Sequence, residues 1–196
     1  MKRFTAMLLF VALAACSQMP GGSGWITLFD GTNLDQWTRV GDANWRLGGG
    51  VVEADKGKGN SFLVSKQSYG DFELRAEFWV DTEANSGVFI RCVDPKKIGA
   101  AECYEVNIWD ARPDPSYGTG AIVNVAKVAP MPKAGGRWNL FEITAKGDQF
   151  FVTLNGERTV NGVRDAKHAR GIIALQYGEV KTGGIVKFRK VEIRPL

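Results

Sequence analysis

The sequence predicts an all-β sandwich, and three observations carry that reading. Apolar and polar residues alternate with period two in many short runs, as half-buried strands require. Turn-forming glycines, prolines, asparagines and aspartates separate these runs every 8–12 residues or so, roughly the spacing of sandwiches and barrels. No long 3.6-residue period occurs beyond the N-terminal segment, so helices are not the building unit. Composition agrees: of 196 residues, 44% are apolar, with 24 glycines and six tryptophans, which suits a real core with frequent turns. The alternation is clean and no internal repeat suggests a propeller, so a sandwich is favoured.

In chain order, Met19 to Gly24 reads as a short tether, and Ile26 to Phe29 opens the domain ahead of Asp30-Gly31 and Trp37. Trp45 to Leu47, a glycine turn at 48–50 and Val51 to Ala54 form a hairpin. After Gly57 and Gly59 comes Phe62 to Ser65. Phe72 to Val80 alternates strictly: Leu74, Ala76 and Phe78 share one face, and Glu73, Arg75, Glu77 and Trp79 the other. Gly87 to Arg91 follows a turn, with Val88 and Ile90 expected inside and Phe89 and Arg91 opposite. Ala121 to Val128 is expected as a strand and Ala129 to Gly136 as a Pro/Gly loop. Trp138 to Lys146 and Gln149 to Asn155 pair around Gly147-Asp148, and Asn155-Gly156 turns the chain again. Asp165 to Arg170 has room for one helical turn; Gly171 to Gln176 and Val186 to Ile193 complete the sheets.

The N-terminus carries a separate signal. Lys2 and Arg3 precede a mostly apolar stretch from Phe4 to Leu13, too short to span a bilayer. Leu13-Ala14-Ala15-Cys16 resembles a bacterial lipobox, with cleavage before Cys16 and lipidation of that residue. The alternative is an ordinary secretory peptide with a chance cysteine. Ser17, rather than an aspartate, resembles sorting to the outer membrane. The expected organisation is a signal peptide at 1–15, a lipidated cysteine and tether at 16–24, and one domain at 25–196. The domain would then sit in the bacterial envelope, facing the periplasm or the exterior, where a disulfide is permitted. Cys92 and Cys103 flank a loop and would close it, against the alternative of two free buried thiols.

Charge and motifs exclude several classes. The net charge of +4 falls to +2 without Lys2 and Arg3, too small and scattered for nucleic acid. The single histidine, His168, lies in a polar loop far from the cysteines, so neither zinc nor a Ser-His-Asp triad is expected. No phosphate loop or dinucleotide fingerprint occurs, and no acidic cluster argues for calcium. No metal or cofactor is expected.

The stretch most suggestive of chemistry runs from Cys103 to Asp110 and on through Arg112-Pro113-Asp114-Pro115 to Gly120. If Tyr104, Val106 and Ile108 face the core, then Glu105, Asn107 and Trp109 share the other face. A carboxylate, an amide and an indole in one row suit a sugar: the indole stacks on the ring and the polar pair reads hydroxyls.

Several segments taken in order resemble the 3-keto-disaccharide hydrolase domain family. They are Leu28-Phe29-Asp30-Gly31 with Leu34 and Trp37, Ser65-Lys66 with Tyr69 to Leu74, Asn85 to Arg91, and Tyr104-Glu105-Val106. Thr119 to Ile122, Trp138-Asn139 with Glu142-Ile143, Leu154-Asn155-Gly156 and Ala174-Leu175-Gln176 continue the pattern. The resemblance implies a concanavalin A-like, laminarinase-type jelly-roll sandwich. The family commonly has a histidine just after the Leu-Gln pair, where this chain has Tyr177. The insert between Cys92 and Cys103 and the Arg112 to Pro115 loop also depart from the family pattern.

The resemblance further implies action on glycosides already oxidised at C3, with a sugar 3-oxidoreductase supplying the ketone. The ketone acidifies the C2 hydrogen, so the glycosidic group leaves by elimination and water then adds. That needs a base and an oxyanion donor, not the paired carboxylates of an ordinary glycosidase. Glu105 is expected as the base or acid and Arg91 as the donor. Asn85, Asn107, Lys66 and Gln176 would hold hydroxyls, Trp109 would stack on the ring, and Asp110 at the strand end would turn into the cleft. The competing readings are a cross-strand Glu105–Arg91 ion pair, turn chemistry at Asn85, surface charge at Lys66 and core packing at Trp109. A non-catalytic carbohydrate-binding module on the same fold, or an envelope-structural lipoprotein with a vestigial cleft, are the alternatives at the level of function.

Overall fold

The computed structural model describes residues 24–179 and 184–196, so Cys16 and the segment expected to be cleaved lie outside the described residues. Thirteen strands and one 3-10 turn make up the described chain. They are β1 (Ile26–Phe29), β2 (Trp37–Val40), β3 (Arg46–Gly48), β4 (Val51–Ala54), β5 (Ser61–Tyr69), β6 (Phe72–Val80) and β7 (Ser86–Cys92). Then come β8 (Tyr104–Ile108), the 3-10 turn at Pro115–Tyr117, β9 (Arg137–Lys146), β10 (Gln149–Leu154), β11 (Glu157–Arg164), β12 (Gly171–Tyr177) and β13 (Val186–Pro195). An eight-stranded sheet runs β11-β10-β9-β6-β13-β4-β3 with β1 added on β13, and a five-stranded sheet runs β2-β5-β12-β7-β8. The sandwich expected from alternation, in the jelly-roll form that the resemblance implied, is the fold found.

Alternation builds the interior. In β6, Phe72, Leu74, Ala76, Phe78 and Val80 are buried between the sheets, while the residues between them face out. Val88, Tyr104, Val106, Ile108, Leu175 and Tyr177 meet them from the other sheet. Each large apolar side chain so buried contributes about 1.5–3 kcal/mol. Asn155 and Gly156 both adopt positive φ, 52° and 85°, as the two-residue turn between β10 and β11 demands.

The two outer faces differ. On the larger sheet, Arg75–Glu142, Arg189–Glu77, Lys187–Glu53 and Arg46 with Glu53 and Asp55 form a lattice of half-exposed ion pairs, each worth little in water. On the smaller sheet, Phe62, Val64, Phe89, Cys92, Cys103, Ile172 and Ala174 form a second buried cluster, with Val40 and Ile98 packed on it.

Three segments depart from expectation. Ala121 to Val128 is no strand: Ile122 makes isolated bridges to Val106 and Ala126, and Asn124 has φ 63°. Its apolar run instead caps the free edge of β8, where Val123 N–H donates to Glu105 O and Asn107 N–H to Ala121 O. Covering an exposed edge accounts for its burial. Asp165 to Arg170 contains no helical turn. Within it His168 alone is buried, its Nε2 lying 3.1 Å from Ala101 O, while Ala166, Lys167, Ala169 and Arg170 are exposed.

Candidate active site

Strand register assembles a lattice of side chains on the outer face of the five-stranded sheet. Asn107 stands opposite Gly87, and Glu105 opposite Phe89. Phe89 in turn faces Ala174, and Leu175 faces Val88, which puts Gln176 beside Gly87. Asn85 bridges to Gly178, and the Ser86–Ile108 pair brings it beside Trp109. The rows are therefore Ala174–Phe89–Glu105, then Gln176–Gly87–Asn107, then Gly178–Asn85–Trp109. The side chains expected at 85, 105, 107, 109 and 176 share one face, as alternation requires.

Gly87 lets its neighbours approach closely in the middle row. A Cβ there would lie 3.2 Å from Phe89 Cε2 and 3.4 Å from both Gln176 Oε1 and Glu105 Cγ. Its absence lets the Phe89 ring, the Gln176 amide and the Glu105 stem close in on one another there.

Two amide oxygens in this row lack protein partners. Asn107 is 0% exposed; its Nδ2 donates to Tyr117 O at 2.6 Å, which fixes the amide and leaves Oδ1 unpaired. Gln176 is 3% exposed and its Oε1 is likewise unpaired. An unsatisfied buried acceptor costs about 1–3 kcal/mol, so this row holds two acceptors that no protein group fills. Glu105 is half-buried, and desolvation pushes its carboxyl up to about 7, opposed by the positive charge of Arg112. A carboxyl at that value offers both acid and base near neutrality.

Arg112 is the residue that sequence reasoning missed. Its N–H closes a turn onto Trp109 O at 3.4 Å, and its guanidinium lies 5.5 Å from the Trp109 ring centroid. The four-residue turn that folds it back was visible only as an Arg-Pro pair beginning a loop.

Three expected site residues do other work. Arg91 is not on this face. Between β7 and β12 the register runs from Ile172–Cys92 to Ala174–Phe89, so β7 carries one extra residue, a bulge. Arg91 takes φ 51° and turns inward after Ile90, returning Cys92 to the outer face. Opposite, a Cβ on Gly171 would meet Cys92 O at 2.3 Å, so the bulge needs glycine there. Arg91, 1% exposed, donates to Gly70 O (2.9 Å), Gly147 O (2.7 Å), His168 O (3.3 Å) and Asp71 Oδ1 (2.9 Å). It is a structural tie, neither an oxyanion donor nor a partner of Glu105.

Asp110 does not enter the cleft either. Its carboxylate accepts from Thr119 Oγ1 (2.6 Å), Ala134 N (2.9 Å) and Gly135 N (2.9 Å), and so pins the 109–135 loops. Lys66 is exposed on a bulge of β5, where Val64 and Ser68 pair with Ala174 and Ile172. Three strand spacings separate β5 from β8, about 14 Å, too far for Lys66 to act with Glu105. Tyr177, where the family commonly has histidine, is buried in the sandwich interior and takes no part in the outer face.

Cys92 and Cys103 form the expected disulfide. It ties β7 to β8 one row beyond Phe89 and Glu105 and holds the 93–102 loop, whose Ile98 packs on the second cluster. Trp109 N–H donates to Thr119 Oγ1 at 2.9 Å. Among the described residues, no group of three or more His, Cys, Asp or Glu side chains could hold a metal.

The hollow between Trp79 and Trp138 on the other sheet is a weaker candidate. Its charged residues Arg46, Glu53 and Lys187 are already paired with one another, whereas the rows around Gly87 have unpaired acceptors and a desolvated carboxyl.

Solved structures similar to this chain are sandwiches of the same kind. A Parabacteroides distasonis protein, provisionally assigned as a glycosyl hydrolase, is 25% identical with a TM-score of 0.71, over 88% of this chain and 99% of that one. A carbohydrate-binding module from Bacillus subtilis is 17% identical with a TM-score of 0.56, over 85% and 93%. The β-glucanase of Bacillus licheniformis is 12% identical with a TM-score of 0.62, over 91% and 100%. No curated protein matches. The domain thus has a glycosyl hydrolase-like or carbohydrate-binding jelly-roll fold. Residues 24–194 match the 3-keto-alpha-glucoside-1,2-lyase-like domain, and the chain belongs to that family.

Proposed function

We propose that this is an enzyme that cleaves 3-keto-glycosides by elimination and hydration, with Glu105 as the working acid–base. The carrying observation is the single desolvated carboxyl at about 7 beside two unpaired buried amide oxygens. The Glu105 carboxylate takes the C2 proton, and the C–H electron pair becomes the C2=C3 bond of an enolate. Arg112, placed over Trp109, takes the role expected of Arg91 and stabilises the C3 oxyanion. Collapse of the enolate restores the C3 ketone, forms C1=C2 and breaks the C1–O bond, the leaving oxygen taking a proton. Water then adds across C1=C2. Asn107, Gln176 and Asn85 hold hydroxyls, and Trp109 stacks on a ring. The substrate presupposes an oxidoreductase acting at C3. The lipobox-like Leu13 to Cys16 supports anchoring in the bacterial envelope through a lipid on Cys16.

The test is turnover of a 3-keto-glucoside and its unoxidised parent by residues 25–196 and by Glu105→Gln. Loss of the keto substrate only, and only with wild type, is the expected result. Saturable binding without turnover would make the domain a carbohydrate-binding module, a reading favoured by its likeness to the Bacillus subtilis module.

A further inference from the structure

The outer face of the eight-stranded sheet carries a straight row of side chains that the site around Glu105 does not use. Trp138 on β9 stands opposite Trp79 on β6, and Trp79 opposite Lys187 on β13. Lys187 in turn faces Glu53 on β4, and Glu53 faces Arg46 on β3. The row crosses β9-β6-β13-β4-β3, about 19 Å from end to end.

A hollow of about 410 Å³ runs beside this row, lined by all of its side chains together with Leu47, Gly48 and Val51. That volume lies in the range of small-ligand sites. The two indoles are half-buried and Leu47 is 38% exposed, a contiguous apolar patch rather than scattered surface residues. Gly48 keeps the floor clear, since a Cβ there would meet nothing within 4 Å. Trp138 is clamped from its other side. Arg189, on the bulge of β13 and paired with Glu77, has its guanidinium carbon 4.3 Å from the Trp138 ring centroid. Neither Arg189 nor Glu77 lines the hollow, so one indole face is fixed by the cation and the other is left to the hollow.

The charges say what the hollow can take. Lys187 and Arg46 both pair with Glu53 and hold its carboxyl below the usual carboxylate range, so Glu53 stays an acceptor and is no acid near neutrality. Arg46 also pairs with Asp55. Two cations and two carboxylates cancel, and an ionic ligand would have to break these pairs to gain one of its own. A neutral ligand need not, because the ammonium, the guanidinium and the carboxylate each keep spare hydrogen-bonding capacity. Hydroxyls use that capacity, and indoles stack on the apolar faces of sugar rings.

We propose that this face is a second, non-catalytic site that binds a neutral oligosaccharide chain laid across the strands. Its sugar rings rest on Trp79 and Trp138, and its hydroxyls meet Lys187, Glu53 and Arg46. No group here reads a ketone, so an unoxidised chain suffices. The site holds the domain on a polysaccharide and leaves the opposite face free. The inference does not depend on the role of Glu105.

The test uses residues 24–196, which contain both sheets, and immobilised cello-, laminari-, malto- and xylo-oligosaccharides, none of them oxidised. The best-bound chain is then titrated calorimetrically. At least one series should bind, with longer chains held more tightly than the disaccharide. Gly48→Leu fills the hollow from a position with no neighbour to displace and should weaken binding at least tenfold. Trp138→Ala should do the same, and Glu105→Gln should leave binding unchanged. No binding of any series overturns the site, as does binding that Glu105→Gln abolishes and Gly48→Leu leaves intact. A concentration-dependent dimer in sedimentation, dissolved by Gly48→Leu, would give the face to a second copy of the chain and overturn it too.

Discussion

Replacing Arg91 separates a structural residue from a catalytic one. Arg91→Met keeps the aliphatic stem beside Phe150, whose ring centroid lies 5.3 Å from the guanidinium carbon, and removes every donor. Three carbonyls, of Gly70, Gly147 and His168, lose a charged donor, and Asp71 loses its ion pair. Asp71 is 40% exposed and still accepts from Gly147 N–H, so its share is small. The His168 bond is long at 3.3 Å, which leaves two strong charged bonds of about 1.5–3 kcal/mol each. Burial already lowers the pKa of this guanidinium, so relief from desolvation offsets part of the loss. A net cost of about 3–4 kcal/mol follows, or roughly 6–16 °C in Tm for a domain of this size. Thermal unfolding by circular dichroism gives the shift, and keto-glucoside turnover well below the lowered Tm gives the activity. The expected result is a large Tm loss with turnover largely kept. A Tm within about 3 °C of wild type, together with lost turnover, would refute the inward placement of Arg91.

Four other predictions follow, three from the same geometry and one from the N-terminal sequence. Because Glu105 must be ionised to take the C2 proton, kcat/KM on a keto-glucoside should rise with pH through about 7 and level off above it; a profile flat from pH 5 to 9 would remove Glu105 from the reaction. The folded state holds the Glu105 proton more tightly than the unfolded chain does, so between the ordinary value of 4.5 and about 7 its ionisation makes stability fall as pH rises. Glu105→Gln should accordingly melt about 2–4 °C above wild type at pH 8, after allowance for a part-exposed group, and show no such gain at pH 4. Serine at both Cys92 and Cys103, which are 11 residues apart, should cost about 3 kcal/mol on the loop-entropy account, read as a lower urea midpoint; an unchanged midpoint would count against the disulfide as a staple. Cys16→Ser should abolish incorporation of labelled palmitate in a bacterial host, and label retained in that variant would rule out lipidation at this residue.

Where strand geometry alone decides, the sequence was readable. Glu105, Asn107 and Gln176 lie on one face because side chains alternate with period two, and Gly87 lets them approach one another. Arg91 was misread because a bulge shifts alternation by one residue, and a bulge depends on the partner strand as much as on its own. The signal lay far away, at Gly171, the one residue without a Cβ to block it. Asp110 was misread because its partners, at 119, 134 and 135, come together only when two loops close. Arg112 escaped notice because a turn, not a strand, points it back, and its side chain is placed by Trp109.

The single carboxyl also bears on what this face can do. A hydrolase that protonates the leaving oxygen and also attacks or activates water needs two carboxyls, roughly 5–10 Å apart across the bond. On the outward positions of β5, β7, β8 and β12, Glu105 is the only carboxylate; its row neighbours are Phe89 and Ala174, and the next row has Gln176, Gly87 and Asn107. Asp110, the nearest in sequence, is held by a hydroxyl and two backbone N–H groups, which occupy its oxygens. On these strand positions, among the described residues, direct displacement at C1 finds no second carboxyl. Elimination does not need one, because the substrate's own ketone supplies the acidity that the missing carboxyl would otherwise provide. The same reasoning explains the environment of Glu105. On the proposed reading a lone base serves before and after the bond breaks, and burial that lifts it toward neutrality suits that role, whereas the base of a two-carboxylate site works best when it stays ionised.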